Sequence, residues 1–593
     1  MMRSTFAGFT TASLALSASH RALEVTGQNI ANVNTPGYTR QRLDIASLNL
    51  KSGDFYNSNP NAQIGFGVDI KGVSRIRDPF LDIQYRMQMS KLGTSDAQLS
   101  GYEKLANILD ETMLSGVRDA FKDLNSQLQS LHANASEKEH DSMVRSSAQN
   151  LLNLFHQSAT RLEEIREDLA NEFRDTTVKD LNGILKNIAE LNETIKNSHI
   201  LGNPALELMD QRDTLIDELS SYLPITTEYK DQALAPGVTV EILNINFVDE
   251  AGNKYRLVAD NDYGELYADT TDTHNVTLSI SDARLKKGEL TSDKLQNGVL
   301  KGTMDMLNKS GGFDNTDVRG IGYYEKSLDA MVSELANMFN ELNAAVKTDA
   351  DGVVQFGTAT YEKATGTVAG PPFTINGEAA YVRTVDPTTK EISYTAATQA
   401  DIDAKKDLYI EKKDAAGNSI PGPIFIDRPL FTTMDGQTTG FTAANITIAK
   451  EWNTGEYGIT TSTVPVYEDG NQVIGSKANE NVLKMIEALN GTRNFKGGPK
   501  NTEFFQGSFY DCYTNMENVL AIDQKETDNT LTNKITVINQ TADLRDSVSG
   551  VSLDEEGINL LQYQQSYTAA ARLMTTLDEA LDKLINGTGV VGR

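Results

Sequence analysis

Apolar side chains recur every seven residues at both ends of the chain. Near the N-terminus Met2, Phe9, Leu16, Leu23 and Ile30 form one line, and Ala12, Ser19, Thr26 and Val33 form a second, three positions on. Large residues on one line and mostly small ones on the other make a heptad seam that a neighbouring backbone can approach closely. Near the C-terminus Leu553, Leu560, Tyr567, Met574 and Leu581 keep the same period. Tyr563, Ala570, Leu577 and Leu584 hold its second line, which Glu556 interrupts. A sustained heptad implies a left-handed supercoil against another helix. Each end is the clearest partner of matching period for the other, so the spacing predicts that the two ends pair as a coiled coil.

Local signals bound both helices. Ser552 with Glu555 three residues on reads as a capping box, and Asp554 and Glu556 suit a helix N-terminus. Asn29, Asn32 and Asn34 crowd the end of the first helix, and Asn tolerates the left-handed conformation that closes helices. Thr35-Pro36-Gly37-Tyr38 then fits a type II turn, with Pro presetting one dihedral and Gly accepting a positive φ. The alternation from Tyr38 to Ile45 predicts a strand.

Between the ends the periodicity changes several times. Glycine-bearing alternation up to Arg77 predicts an extended connector. Pro79 can open a helix running to about Leu114, with a second from Val117 to Ala133. From Glu137 to Ser198 apolar residues such as Leu151, Leu162, Leu169, Leu185 and Ile195 keep three-four spacing, until Gly202-Asn203-Pro204 stops the helix. Leu206 to Leu223 is a further helix. The period becomes two from about Ile225 to Gly298, with a hairpin turn at Asp249–Asn253. Helix returns from Lys301 to about Val346. A second β-rich stretch follows, with an Asn-Gly turn at Asn376-Gly377. Helix resumes at Ala478–Leu489 and at Glu503 to about Val548.

The expected fold class is therefore mainly α with inserted β domains, an α+β multidomain chain. Residues 1–48 with 549–593 would form a terminal coiled-coil domain. Residues 49–224 with 299–348 and 476–548 would form a long helical bundle. Residues 225–298 would be a β domain and 349–475 an outer β-rich insertion.

Composition narrows the function classes. The chain has 593 residues and a net charge of −28, which argues against nucleic acid or a membrane surface as a partner. No run of 18 apolar residues occurs, so no transmembrane helix is expected. Thr10, Thr11, Ser13, Ser17 and Ser19 interrupt every early apolar stretch, so a cleaved secretory signal is not expected either. The single Cys512 precludes an internal disulfide and reads as a small core residue beside Tyr510 and Tyr513. None of the six histidines sits in HExxH. Glu139-His140-Asp141 reads as a charged turn, Asp349-x-Asp351-Gly352 lacks the acidic residue that would complete a calcium loop, and Gly65-x-Gly67 lacks its third glycine. No catalytic residue, metal or cofactor is expected.

ALEVTGQNIANVNTPGYTRQR, from Ala22 to Arg42, resembles the N-terminal signature of flagellar rod, hook and hook-associated proteins. SVSGVSLDEEGINLLQYQQSYTAAARLMTT resembles the C-terminal signature of the hook-associated proteins at the hook–filament junction, the FlgK family. The resemblance is close at both termini, looser in the helices beside them and absent from the β-rich insertions. It implies a structural axial protein, not an enzyme, whose terminal helices line the inner tube of the flagellum. It implies a ring of copies as the first partner, then hook protein, a second junction protein and an export chaperone. It also implies an extracellular place on the flagellum, reached without a cleaved signal peptide. The assembly interface it implies comprises Met2, Phe9, Leu16, Leu23, Ile30, Asn32, Pro36, Gly37 and Tyr38. From the other end it takes Leu553, Leu560, Tyr563, Tyr567, Met574, Leu577, Leu581 and Leu584. A hook or rod protein is the alternative within this class, and the helical block at 80–222 speaks against it. An adhesin or enzyme domain carried in 349–475 is the alternative from another class, without a zinc or glycan-binding motif to support it.

Overall fold

The computed structural model describes residues 7–48, 67–112, 114–235, 238–309, 318–475, 477–497 and 502–587. Met2 and Gly65 lie outside them. Helices take about 53% of the chain and strands 21%, which makes the fold the expected mainly helical α+β type.

The helices follow the apolar periodicity. The first, α1 (Ala7–Ala31), leads through a turn into a strand at Gln41–Ser47, which pairs antiparallel with Val68–Arg75. Next come α2 (Pro79–Thr112) and α3 (Leu114–Ala133). The long helix expected over 137–198 is α4 (Lys138–Glu172) and α5 (Val178–Ile200), joined without a break by a π turn at Phe173–Thr177. The wider turn accommodates an extra residue while Phe173 stays fully buried. A further helix, α6 (Leu206–Tyr222), folds back on α5. After the β domain come α7 (Val299–Asn308) and α8 (Ile321–Leu342), then the single-turn α9 (Gln399–Asp403) and α10 (Lys450–Thr454). The chain ends with α11 (Glu480–Asn490), α12 (Phe509–Ser549) and α13 (Leu553–Gly587). Among the described residues, no helix is long and apolar enough to cross a membrane.

One boundary differs from the expected one. Residues 502–507 are a strand paired with Arg493–Gly497, not the start of α12. Phe495 is fully buried there and meets Phe509 edge-on at 5.2 Å, so aromatic packing overrides the local helical pattern. The helix begins at Ser508, whose side chain accepts from the Asp511 amide while Asp511 accepts from the Ser508 amide, a reciprocal cap.

Strands between 225 and 290 form a four-stranded and a three-stranded antiparallel sheet. Their inner faces join the helical core through Leu243, Phe247, Leu278 and Ile280. The same core extends into the expected outer block. Leu430, Phe431, Phe441, Ile446 and Trp452 join that core, with contacts to α4 and α8. Trp452 is 1% exposed, meets Phe431 edge-on at 6.1 Å and donates its indole N–H to the Asp141 carboxylate at 3.2 Å. Asp141 also accepts from the Ile459 amide at 2.7 Å. Glu139-His140-Asp141, expected as a charged turn, is instead the start of α4, and Asp141 there is a structural acceptor. Burial pushes the Cys512 thiol up, so it stays a protonated core side chain.

Among the described residues, only 361–411 build a separate small core, around Ile375, Ala380, Val382 and Leu408. Their six-stranded sheet includes a hairpin whose turn has φ of 53° at Asn376 and 87° at Gly377, as a two-residue Asn-Gly turn requires. This unit meets the body through polar contacts: Arg383 with Asp427 at 2.7 Å, Tyr409 donating to Glu341 at 2.7 Å, and Lys363 with Glu341 at 3.5 Å. Its two connections run side by side, with the Gly357 amide donating to the Gly422 carbonyl at 2.8 Å.

Replacing residues 358–421 by a short glycine linker should therefore leave a soluble chain with a cooperative thermal melt. Removing residues 351–475 takes out Phe431 and Trp452 and should give a poorly folded product, since truncating one such side chain alone costs about 3–5 kcal/mol. Circular dichroism melts of the two deletions check this.

Candidate assembly interface

Three contacts define how the chain ends meet. A Cβ on Gly8 would lie 3.3 Å from Leu577, the rings of His20 and Tyr567 are 6.4 Å apart, and Arg40 reaches Glu555 and Glu556. As α1 advances, α13 recedes, so the pair is antiparallel.

The α13 side of the seam is the one its heptads describe. Leu560, Tyr563, Tyr567, Met574, Leu577 and Leu581 are all half-buried in a helix whose other positions are mostly exposed, and Ala570 is buried. Leu553 and Leu584 are not part of it, at 55% and 56% exposed. Leu553 stands on the first turn, where α13 meets Arg40 beyond the end of α1. Leu584 lies seven residues past Leu577, beyond the described start of α1 at residue 7.

On α1 the burial falls on the small line. Ala12, Ala18, Ser19, Ala22, Thr26 and Asn29 are buried, while Phe9, Leu16, Leu23 and Ile30 are half-buried beside them. The large line, expected as one side of the seam, thus flanks a centre made of small residues. Small residues let backbones come close, and bulky α13 side chains supply the volume. The pair leaves Ile558, Leu561 and Leu573 of α13 exposed at 65%, 57% and 46%.

Glu556, the apparent interruption of the heptad, is 1% exposed. It accepts from Arg40 Nε at 2.7 Å, Glu555 takes Arg40 Nη1 at 2.5 Å, and the Arg40 amide donates to the Ser549 carbonyl at 2.8 Å. Burial works against the Arg40 charge, but the hydrogen bonds and charges of the two glutamates more than offset it. With its side chain drawn to Arg40, Glu555 does not complete the expected capping box. Its amide only approaches Ser552 Oγ at 3.5 Å.

The turn out of α1 is built on Asn29. Its side-chain oxygen accepts from the Gln41 amide and from the Tyr38 hydroxyl, both at 2.9 Å, and its side-chain nitrogen donates to the Gln41 carbonyl at 2.9 Å. Burial, then the charges of Glu207, Asp210 and Glu556, push the Tyr38 hydroxyl up and keep it a donor. Asn32 accepts from the Thr35 hydroxyl at 3.1 Å. Gly37 has φ of 77° and the Tyr38 amide donates to the Thr35 carbonyl, which makes the expected type II turn around Pro36. A Cβ on Gly37 would stand 2.5 Å from Thr214 Oγ1, so glycine is needed for the approach to α6 as well as for the dihedral. The turn and α6 border a cleft of about 800 Å³.

Below the turn, charge ties the terminal pair to the body. Asp210 accepts from the Thr39 amide at 3.0 Å and pairs with Arg75 at 2.7 Å. Asp213 pairs with Arg75 and Arg77 at 2.8 and 2.7 Å. Burial alone would raise the Asp213 carboxyl, but Arg77 and Arg75 hold it below its ordinary value. Arg86 and Arg545 meet on Asp217 at 2.7 and 2.5 Å, which brings α2, α6 and α12 into the same cluster. Sequence reasoning missed Asn29 as an organiser, Arg40, Glu556 and this Arg–Asp cluster. The one signal available was a charge on an otherwise apolar heptad line.

Asn29→Ala should cost about 1–3 kcal/mol, the usual range for leaving buried partners unsatisfied. Hydrogen exchange at the Gln41 amide should accelerate, while exchange in α4 and α8 should not change. Asn34→Ala, at an exposed position, is the control.

The chain is similar to known flagellar proteins. The family model described as the flagellar hook-associated protein FlgK helical domain matches residues 102–358. The model of the flagellar basal body rod FlgEFG protein C-terminal matches 546–587, and that of the flagella basal body rod protein matches 9–39. Flagellar hook-associated protein 1 of Bacillus subtilis (strain 168) is 29% identical over 597 residues, covering 100% of both chains. Its counterpart in Salmonella typhimurium (strain LT2) is 26% identical over 599 residues, covering 96% of this chain and 98% of that one. The Escherichia coli (strain K12) counterpart is 24% identical, with the same coverage. A solved structure of the flagellar hook junction protein FlgK from Burkholderia pseudomallei aligns with a TM-score of 0.48 and 14% identity, covering 79% of this chain and 100% of that one. With models matched at both ends and in the helical body, and relatives aligned over nearly their whole length, the chain belongs to the FlgK family of flagellar hook-associated proteins.

Proposed function

We propose that this chain is the structural axial protein that connects the flagellar hook to the flagellin filament, and that it works by assembly without catalysis. The observation that carries this reading is the exposed apolar face of α13, at Ile558, Leu561 and Leu573, on a terminal pair that already uses its other face within the chain. Neighbouring copies in a ring bury this face and the half-buried Phe9, Leu16, Leu23 and Ile30. Hook protein lies on one side of the ring and a second junction protein on the other. The chain leaves the cell accompanied by an export chaperone, and its ends settle against neighbours on arrival. The turn at Pro36, Gly37 and Tyr38 directs the chain from the inner tube into the body.

The end models are shared with rod proteins, but the match of residues 102–358 to a hook-associated helical domain favours the junction over a rod or hook position. No observation favours an adhesin or enzyme in the outer unit.

Electron microscopy of cells lacking this chain should show complete hooks without filaments, and missing hooks would sink the reading in favour of a rod or hook protein. Leu561→Asp should leave the monomer's melting temperature unchanged, because the position is exposed in the single chain. In assembly it would bury an unpaired charge, at a cost of several kcal/mol. The variant should be exported normally, fail to join the hook tip and release flagellin into the medium. Filaments of normal number and length would remove this face from the interface. The matched change Gln562→Asp should be harmless.

A further inference from the structure

We propose that Glu163, His274 and Glu325 form a binding site for a divalent transition metal, with zinc the best chemical match. The site fastens the loop of the β domain around residue 274 to α4 and α8. It involves none of the terminal seam and does not rest on the assembly reading.

The three side chains come from three separate elements. Glu163 is on α4, Glu325 on α8, and His274 in the loop between the strands Glu265–Asp269 and Thr277–Ser281. His274 Nε2 stands 3.8 Å from a carboxylate oxygen of Glu163 and 3.8 Å from one of Glu325, and one donor atom from each lies within 4.8 Å of the others. Ligands of a tetrahedral zinc at about 2.0–2.1 Å are about 3.4 Å apart. Small rotations of the exposed His274 ring and of Glu163 close the difference, with Glu325 held in place by Arg166. One imidazole with two carboxylates and an open position is a zinc-type donor set, whereas an all-oxygen set would suit calcium or magnesium.

The donors are held from behind. Arg166 is 1% exposed and grips Glu325 with both arms, at 2.9 and 2.7 Å. The same guanidinium donates to the Thr273 carbonyl at 3.2 Å, one residue before His274. On the other side the Val276 amide donates to the Asn308 side chain at 2.7 Å, and Asn308 donates back to the Val276 carbonyl at 2.6 Å. The Thr273 hydroxyl reaches Glu163 at 3.4 Å. Loop and glutamate are thus fixed before an ion arrives, the arrangement that outer partners give to metal ligands. Arg166 and Asn308 already tether the loop, so a tether alone does not account for the imidazole between two carboxylates. A cleft of about 530 Å³ opens beside the three donors, also lined by Glu164, Glu167 and Asp329. It leaves room for water as a fourth ligand and offers a negative approach to a cation. Among the described residues, the other histidine–carboxylate contacts are His20 with Glu24 and His140 with Glu137, each within one turn, and Asp272 beside His274 Nδ1 at 3.8 Å.

The test uses the full chain, stripped with EDTA and titrated with Zn²⁺ by calorimetry, and with Co²⁺ by visible absorption. One site should bind zinc with micromolar or tighter affinity, resist millimolar Ca²⁺ or Mg²⁺, and give cobalt bands of tetrahedral intensity. Zinc should also raise the melting temperature. Outer partners of metal sites are worth about 10–100-fold in affinity, so His274→Ala and Glu163→Gln, which remove ligands, should weaken binding more than that. Both variants should keep the wild-type circular dichroism spectrum without metal. His140→Ala should bind as the wild type does. No zinc binding, or binding unaffected by His274→Ala, overturns the proposal.

Discussion

The antiparallel contact between α1 and α13 is the constraint on which the rest depends. It joins groups as far apart in the chain as Arg40 and Glu556, which are separated by 516 residues. Loop-closure entropy grows only slowly with length, so the distance itself is affordable. What the contact needs is a body that returns the chain to its starting point. Here α12 supplies the return, running 41 residues back along α2. The cluster of Arg75, Arg77, Arg86 and Arg545 with Asp82, Asp210, Asp213 and Asp217 sits where the outgoing and returning segments cross. Breaking one partner of such a buried pair strands the other charge, so the crossing is specified sharply even if its net contribution to stability is modest.

The asymmetry of the terminal pair has a functional consequence. A seam of large residues on both helices would be satisfied by one partner. Small residues on α1 against large ones on α13 satisfy one face while apolar side chains remain on others. The β domain shares the helical core and packs as part of the body. The unit at 361–411 has its own core and a polar boundary, so its size can vary without disturbing the body.

How much of this was legible in the sequence depends on the range of the interaction. The heptads of α13, the type II turn at Pro36-Gly37 and the Asn-Gly turn at residues 376–377 are local, because period and turn chemistry are set by neighbours in the chain. So was the alternation of helical and β-rich stretches. The strand at 502–507 was not, because its aromatic packing on Phe495 and Phe509 outweighs a local preference.

The sequence by itself determined that the two ends are matched helices, that a turn follows the first, and that β-rich units interrupt a helical body. Only the tertiary structure decided which line of α1 is buried, because a heptad specifies a stripe and not the neighbour that covers it. It also decided that Glu556 is a buried partner of Arg40, that Trp452 belongs to the main core, and that Glu163, His274 and Glu325 converge. Each of these joins residues at least fifty positions apart, or turns on burial, and neither has a signature in local spacing.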